Sequence, residues 1–331
     1  MTFLTRSRVA LAATALAASS IAAQAEEVIR AIHFAPAQVS FSKNFMTFVD
    51  KVNDRGEGVV RIEVLGGPET IPQERMAEAQ RNGVVDMVLL AGGRFLEIIP
   101  EAEAFAGSNR TPMEVREDGG FELINELFHE KANAHLLAHV DGGAGFHVWL
   151  TEKPEIAEDG MLSLEGLRLR SSPLYRAFLE ELGATLVVQA SPEVYTSLER
   201  GVVDGTGYPI MGLRDFGWDK FLNYRIDPGF FQVDVLVTMN LDSWNNLSDE
   251  ARDIVETVAI EHEASSYEAN IEQTAAESEA MAENGMEVIE LTGEQREAYL
   301  KTAYDIAWQR MAERDPANVD ALKDVFFEEI E

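Results

Sequence analysis

The sequence predicts an α/β protein of two similar lobes, and three observations carry that expectation. Two stretches, residues 28–90 and 167–209, each read strand, helix, strand, helix, strand, an order that builds a parallel sheet with helices over its faces. A short signature recurs in both: MAEAQRNGVVDM at 76–87 and VYTSLERGVVDG at 194–205, a helix whose closing glycine leads through Val-Val-Asp into a strand. The chain, at 331 residues, is too long for one ordinary core and suits two. Two such lobes facing each other through their strand ends would enclose a cleft.

The elements follow in order. Residues 1–25 read as an export leader: Arg6 and Arg8, an apolar run from Val9 to Ala22, and an Ala23-Gln24-Ala25 cleavage site. Strand 28–34, helix 42–52, strand 59–65, helix 71–82 and strand 84–90 make the first β-α-β-α-β set. Gly92-Gly93-Arg94 and residues 101–112 form loops at the end of that sheet. A helix over 113–132 precedes strands 134–140 and 145–150, and 154–164 is an acidic loop.

The central stretch then alternates apolar and basic residues over 167–170. Ser172 is the expected cap of the next helix and Pro173 its first residue. Strand 185–189, a Ser191-Pro192 helix start and a strand after Val202-Val203 complete the set. Beyond it lie a helix or turn at 211–222, strand 230–239 and a continuous helical pattern over 248–283. Strand 286–291 and closing helices at 294–313 and 317–329 end the chain.

Composition narrows the class. Hydrophobic residues make up 46% of the chain, enough for a globular core. The absence of cysteine excludes thiol catalysis and zinc–cysteine sites. After the leader, no window approaches the roughly 20 apolar residues needed to span a bilayer. The formal charge of −31 argues against nucleic acid and anionic lipid as partners. It also opposes an anionic ligand at long range, although salt screens such repulsion beyond about 8 Å.

Arg170 is the leading candidate for chemistry. It stands at the carboxyl end of its strand, where open α/β sheets bind ligands, and its planar fork of donors fits a carboxylate. A structural ion pair with one of the chain's many acids is the other reading. The order of GLRLRSSPLY, ELGAT and PEVYTSLERGVVDG, with a proline four residues after Gly205, resembles the substrate-binding proteins of tripartite ATP-independent periplasmic (TRAP) transporters, the DctP-like family.

That resemblance covers essentially the whole chain after the leader. It implies a two-lobed periplasmic binding protein fold of type II-like design, each lobe a mainly parallel sheet flanked by helices, with one long helix spanning both. It implies lobe I as residues 26–147 plus about 230–265, and lobe II as 148–229 plus about 266–331. It implies that Arg170 holds a ligand carboxylate, that no cofactor is needed, and that the partners are a small and a large membrane subunit of a TRAP transporter.

The sequence departs from the family at Tyr208. Many members carry Gln-Glu-Asn-Pro where this chain has Thr206-Gly207-Tyr208-Pro209, which puts the familiar C4-dicarboxylates and sialic acid in doubt. Some members place a second basic residue upstream, near His147-Val148-Trp149 here, so Trp149 is expected to line the cleft. Phe34, Tyr195, Phe216 and Trp218 are further aromatic candidates, and Glu69 is placed to accept a ligand hydroxyl or amine. One arginine among aromatics points to a monocarboxylate with an apolar or aromatic body.

No metal is expected: His135 and His139 read as one strand, on the same side but separated, with no carboxylate within the segment. G-x-S-x-G, Walker A and G-x-G-x-x-G motifs are absent. The rival readings are an exported α/β hydrolase or lyase, and a ligand-sensing subunit of a receptor.

Overall fold

The computed structural model describes residues 26–157 and 161–329. The expected leader and its cleavage after Ala25 lie outside the described residues. In chain order the strands are β1 (Glu27–His33), β2 (Val60–Gly66), β3 (Met87–Ala91), β4 (Ala134–Val140), β5 (Gly145–Leu150), β6 (Glu155–Ile156) and β7 (Leu162–Ser163). They continue with β8 (Arg168–Ser171), β9 (Thr185–Val188), β10 (Gly205–Pro209), β11 (Tyr224–Asp227), β12 (Phe230–Gln232), β13 (Val235–Asn240) and β14 (Glu287–Glu290).

Two large sheets form the two lobes. The first has the order β2-β1-β3-β13-β4, and the second β14-β11-β5-β10-β8-β9 with β12 also on β5. The second sheet read backwards repeats the first: β9, β8, β10, β5 and β11 take the places of β2, β1, β3, β13 and β4. In each sheet, among the described residues, a single strand runs against all the others: β13 in the first and β5 in the second. These two are the strands reached directly from a strand of the opposite lobe. The chain changes sheet between Val140 and Gly145 and returns between Gln232 and Val235.

The repeated Gly-Val-Val-Asp signature has the same physical job in both lobes. Asp86 accepts from the backbone N–H and the Nε of Arg30, at 2.9 and 2.8 Å. Asp204 accepts from the same two groups of Arg168, at 2.9 and 3.0 Å. Each arginine also reaches the carbonyl of the signature glycine, Gly83 or Gly201. The carboxylate thus ties the turn after a helix to the neighbouring strand.

The long helix Asp249–Glu283 is unbroken and capped by Ser248, whose side chain accepts from Ala251 N. It packs along β4 and the helix Ser40–Arg55, then delivers the chain to β14, which pairs with β11 at the edge of the second sheet. Both crossings carry a buried aspartate. Asp141, in the first, accepts from Asn44 and from Asn270 of the long helix. Asp234, in the second, accepts from Gly93 N at 2.6 Å.

A further tie joins the lobes at one rim. The helix Ser40–Arg55 begins after Val39, which supplies no side-chain cap. Asp215, between β10 and β11, accepts from both the N–H and the hydroxyl of Ser40, at 2.7 and 2.6 Å.

Several elements differ from their expected form. The stretch 230–239 is not one strand: Val233-Asp234 breaks it, leaving β12 in the second sheet and β13 in the first. The expected helix at 113–132 is three pieces, because Gly119 takes a left-handed conformation between Pro112–Glu117 and Gly120–Leu127, and a π turn follows. Ser172 caps nothing; residues 172–175 form a turn before the helix Arg176–Glu181. β11 was hidden because it offers only four residues, two of them charged.

The two histidines of β4 do not share a side. The register slips where Val237 pairs with Ala138 but Thr238 with Leu136, so one extra residue inverts the alternation. His135 stacks on Trp244 with centroids 4.2 Å apart, while His139 Nε2 lies 2.6 Å from the Val233 carbonyl.

Candidate functional site

Between the lobes lies a cleft. Phe34, Phe41, Gln73, Gly93 and Arg94 line it from the first lobe, and Phe146, Arg170, Leu174, Tyr175, Ser191 and Tyr208 from the second. The returning crossing, Val233 to Val235, forms its back.

Arg170 sits near the end of β8 and is 2% exposed. Its Nε donates to the Gln189 carbonyl at 3.0 Å, and Nη1 donates to the Tyr175 hydroxyl at 2.6 Å and the Gly207 carbonyl at 3.4 Å. Nη2 is 3.4 Å from Ser191 Oγ. Tyr175 in turn donates to the Gly207 carbonyl at 2.6 Å. Every one of these acceptors is neutral, and among the described residues no carboxylate pairs with Arg170. The guanidinium is therefore oriented but not neutralised.

Gly207 makes this possible. A Cβ there would stand 2.6 Å from a carbon of the Tyr175 ring, so only glycine lets the ring lie against β10. The turn before that ring is held from outside: Arg310 donates to the carbonyls of Pro173 and Leu174, and its Nη1 is 2.8 Å from Glu103 Oε1 in the first lobe.

Tyr208 lines the cleft and is 6% exposed. Burial pushes its hydroxyl pKa up, against the pull of the nearby Arg170 charge, so it stays a neutral donor and acceptor. Phe34 also faces the cleft, beside Phe41 at 5.6 Å between centroids.

The other expected residues lie elsewhere. Trp149 is fully buried behind β10 and donates its Nε1 proton to the Tyr208 carbonyl at 2.7 Å, supporting the cleft wall without lining it. Trp218 is equally buried, stacked on Phe216 at 4.9 Å and edge-on to Tyr208 at 4.7 Å. These two rings back Tyr208. Tyr195 packs on Phe221 at 5.0 Å, away from the cleft lining. Glu69 is exposed and folds back on its own turn, accepting from Gly67 N at 2.7 Å, which holds its carboxyl below the usual range.

Two charged residues of the cleft were not singled out in the sequence. Arg94 follows β3 and is held by Gln73 Oε1 at 3.1 Å, with Glu74 more loosely placed at 3.6 Å. Burial lowers its pKa, Glu74 opposes that, and the Arg170 charge adds to it. Asp234, 1% exposed, is pushed up to about 6 by burial, against the amides of Gly93 and Asp234 itself. Arg94 was findable, since it lies beyond the carboxyl end of a parallel strand, as Arg170 lies near the end of its own. Asp234 had a weaker signal, a lone acid inside the apolar run FFQVDVLVTM. A Cβ at Gly93 would meet the Leu174 Cβ at a tight 3.2 Å, with Asp234 Oδ2 at an ordinary 3.5 Å.

Two α/β lobes joined by crossing strands, with an unneutralised arginine in the cleft between them, define a solute-binding protein. The chain matches the family model of bacterial extracellular solute-binding proteins, family 7 (DctP), over residues 31–315, and it belongs to that family. It is 26% identical over 314 residues to the C4-dicarboxylate-binding periplasmic protein DctP of Rhodobacter capsulatus, covering 91% of this chain and 92% of that one. It is 25% identical over 242 residues to a monocarboxylate 2-oxoacid-binding periplasmic protein of Nostoc, covering 67% of this chain and 64% of that one.

Among solved structures, the Bordetella pertussis solute receptor DctP7 with pyroglutamic acid superposes with a TM-score of 0.77 at 18% identity, covering 90% of this chain and 99% of that one. The protein is thus a bacterial extracellular solute-binding protein, and the two curated relatives named above are periplasmic proteins that bind small organic acids. It is not an enzyme, and the hydrolase or lyase reading falls with that.

Proposed function

We propose that this receptor captures a monocarboxylate with an apolar or aromatic body and delivers it, unaltered, to the small and large membrane subunits of a TRAP transporter. In this reading the chain is exported, its leader is removed after Ala25, and the lobes close by bending at residues 141–144 and 233–234. Arg170 grips the carboxylate while Phe34, Tyr208, Phe41 and Phe146 surround the rest.

The observation that carries the reading is the state of Arg170, buried and held only by neutral acceptors. A charge so placed is complete only when an anion arrives. The pairing favours a single negative group: Arg94 already has Glu74 at 3.6 Å, whereas Arg170 has no carboxylate partner among the described residues and is the one cation left for the ligand to meet.

Mass spectrometry of acids released from the purified protein identifies the ligand, and calorimetry with that acid tests the role of Arg170. Removing one partner of a buried charged pair costs about 3–5 kcal/mol, so Arg170→Ala is expected to weaken binding at least about a hundredfold. Unchanged affinity in the variant, or stabilisation of the protein by succinate-like diacids alone, would overturn the reading.

A further inference from the structure

We infer that Asp234 is a specificity residue that selects acids bearing a neutral hydroxyl or amide N–H beside the carboxylate. The inference rests on the proposed grip of Arg170 on that carboxylate and adds a second requirement to it. Asp234 lies in the cleft lining at the back, on the crossing between β12 and β13. Its carboxylate accepts one backbone N–H, that of Gly93, at 2.6 Å. An ionised carboxylate has about four acceptor positions. Among the described residues no side chain donates to the remaining ones, and no cation lies within ion-pair distance of it.

Arg94 is near enough to influence Asp234, yet it turns to Gln73 instead. The cleft thus presents an acceptor in need of a donor, beside one guanidinium, that of Arg170, with no carboxylate partner among the described residues. Such a group, buried and only part-satisfied, discriminates strongly, because an analogue without the matching donor leaves it unpaired. The balance of charge refines the class. An ammonium on the ligand would satisfy Asp234 but set a third cation close to Arg170 and Arg94, whose charges already act on each other. A neutral donor on a monoanion meets Asp234 and Arg170 alike.

The test uses the full mature chain and matched acids: lactate against propionate, mandelate against phenylacetate, pyroglutamate against cyclopentanecarboxylate, and phenylalanine as the zwitterion. Thermal shift ranks them, and calorimetry measures the best pair. A hydrogen bond to a charged group implies that the donor-bearing member binds about ten- to a hundredfold more tightly in the wild type. Phenylalanine should bind more weakly than mandelate.

Asp234→Asn keeps the shape and an acceptor for Gly93 N but turns a donor towards the ligand, so the ratio should fall to about one. Arg170→Ala should weaken both members of a pair. Equal affinities in the wild type, stabilisation by none of the donor-bearing acids, or a ratio that survives Asp234→Asn would each overturn the inference. If the ratio survives while Arg170→Ala still abolishes binding, the carboxylate grip stands and only the donor requirement falls. The wild-type ratio decides the matter even if the variant does not fold.

Discussion

Laid over each other strand by strand, the two lobes share their fastenings and differ in their chemistry. Arg30 and Asp86 in the first lobe repeat as Arg168 and Asp204 in the second, down to the backbone N–H that each aspartate accepts. Two residues further along the strand the lobes part. Where the second has Arg170, the first has Ile32, and where the second has Gly207, the first has Leu89. Ile32 and Leu89 are core residues with no exposure. The comparison separates the residues that hold a strand–helix–strand unit together from those that shape the cleft. The cleft-shaping set differs by two apolar side chains, one replaced with a cation and one with nothing.

The sharpest break of this comparison is at the paired positions Leu89 and Gly207. Leu89→Ala should cost about 2–5 kcal/mol of stability, as a buried large-to-small change does, and leave ligand affinity unchanged. Gly207→Ala should cost about 1–3 kcal/mol by overpacking and also weaken binding, since the displaced Tyr175 no longer holds Arg170. Denaturant melts and calorimetry on the two variants check both halves. Equal affinity losses would mean that the lobes do not divide the work this way.

Next come the shared fastenings. Asp86→Ala should destabilise by about 1–3 kcal/mol. Asp204→Ala should cost less, because that carboxylate side chain is 26% exposed against 12% for Asp86 and is better screened. Neither should change affinity greatly.

The gentlest test compares the two crossings. Burial pushes both Asp141 and Asp234 up to about 6 from 3.8. A carboxyl raised in the folded state contributes stability that is full below its unfolded pKa and is lost as pH rises through about 6. The unfolding free energy of Asp141→Asn or Asp234→Asn, minus that of the wild type, should therefore climb between pH 4.5 and about 6, by no more than about 1.4 kcal/mol per pH unit, and level off above that. Only the Asp234 variant should alter ligand binding, because Asp141 is held by Asn44 and Asn270 outside the cleft lining.

Much of this was legible in the chain itself. The Gly-Val-Val-Asp repeat marked equivalent strands, and its aspartates prove to be the fastenings. Arg170 was visible because it stands at a strand end, where open α/β sheets bind ligands, although position alone fitted a structural ion pair equally well. Trp149 and Trp218 misled, since large aromatics near a site satisfy the sequence pattern whether they line a wall or back it; strand parity and the Tyr208 carbonyl decide which. Asp234 was obscured by an apparently continuous strand. A period-2 pattern cannot show that a strand changes sheets halfway, because alternation continues through the break.

The contact between Ser40 and Asp215 has one more consequence. The helix Ser40–Arg55 has no cap of its own, so its leading amide relies on an acid from the facing half of the molecule. When the halves separate, that amide is left to water and its deuterium uptake should quicken. The receptor thus carries a built-in occupancy gauge, one N–H whose exchange rate counts how often the mouth stands open.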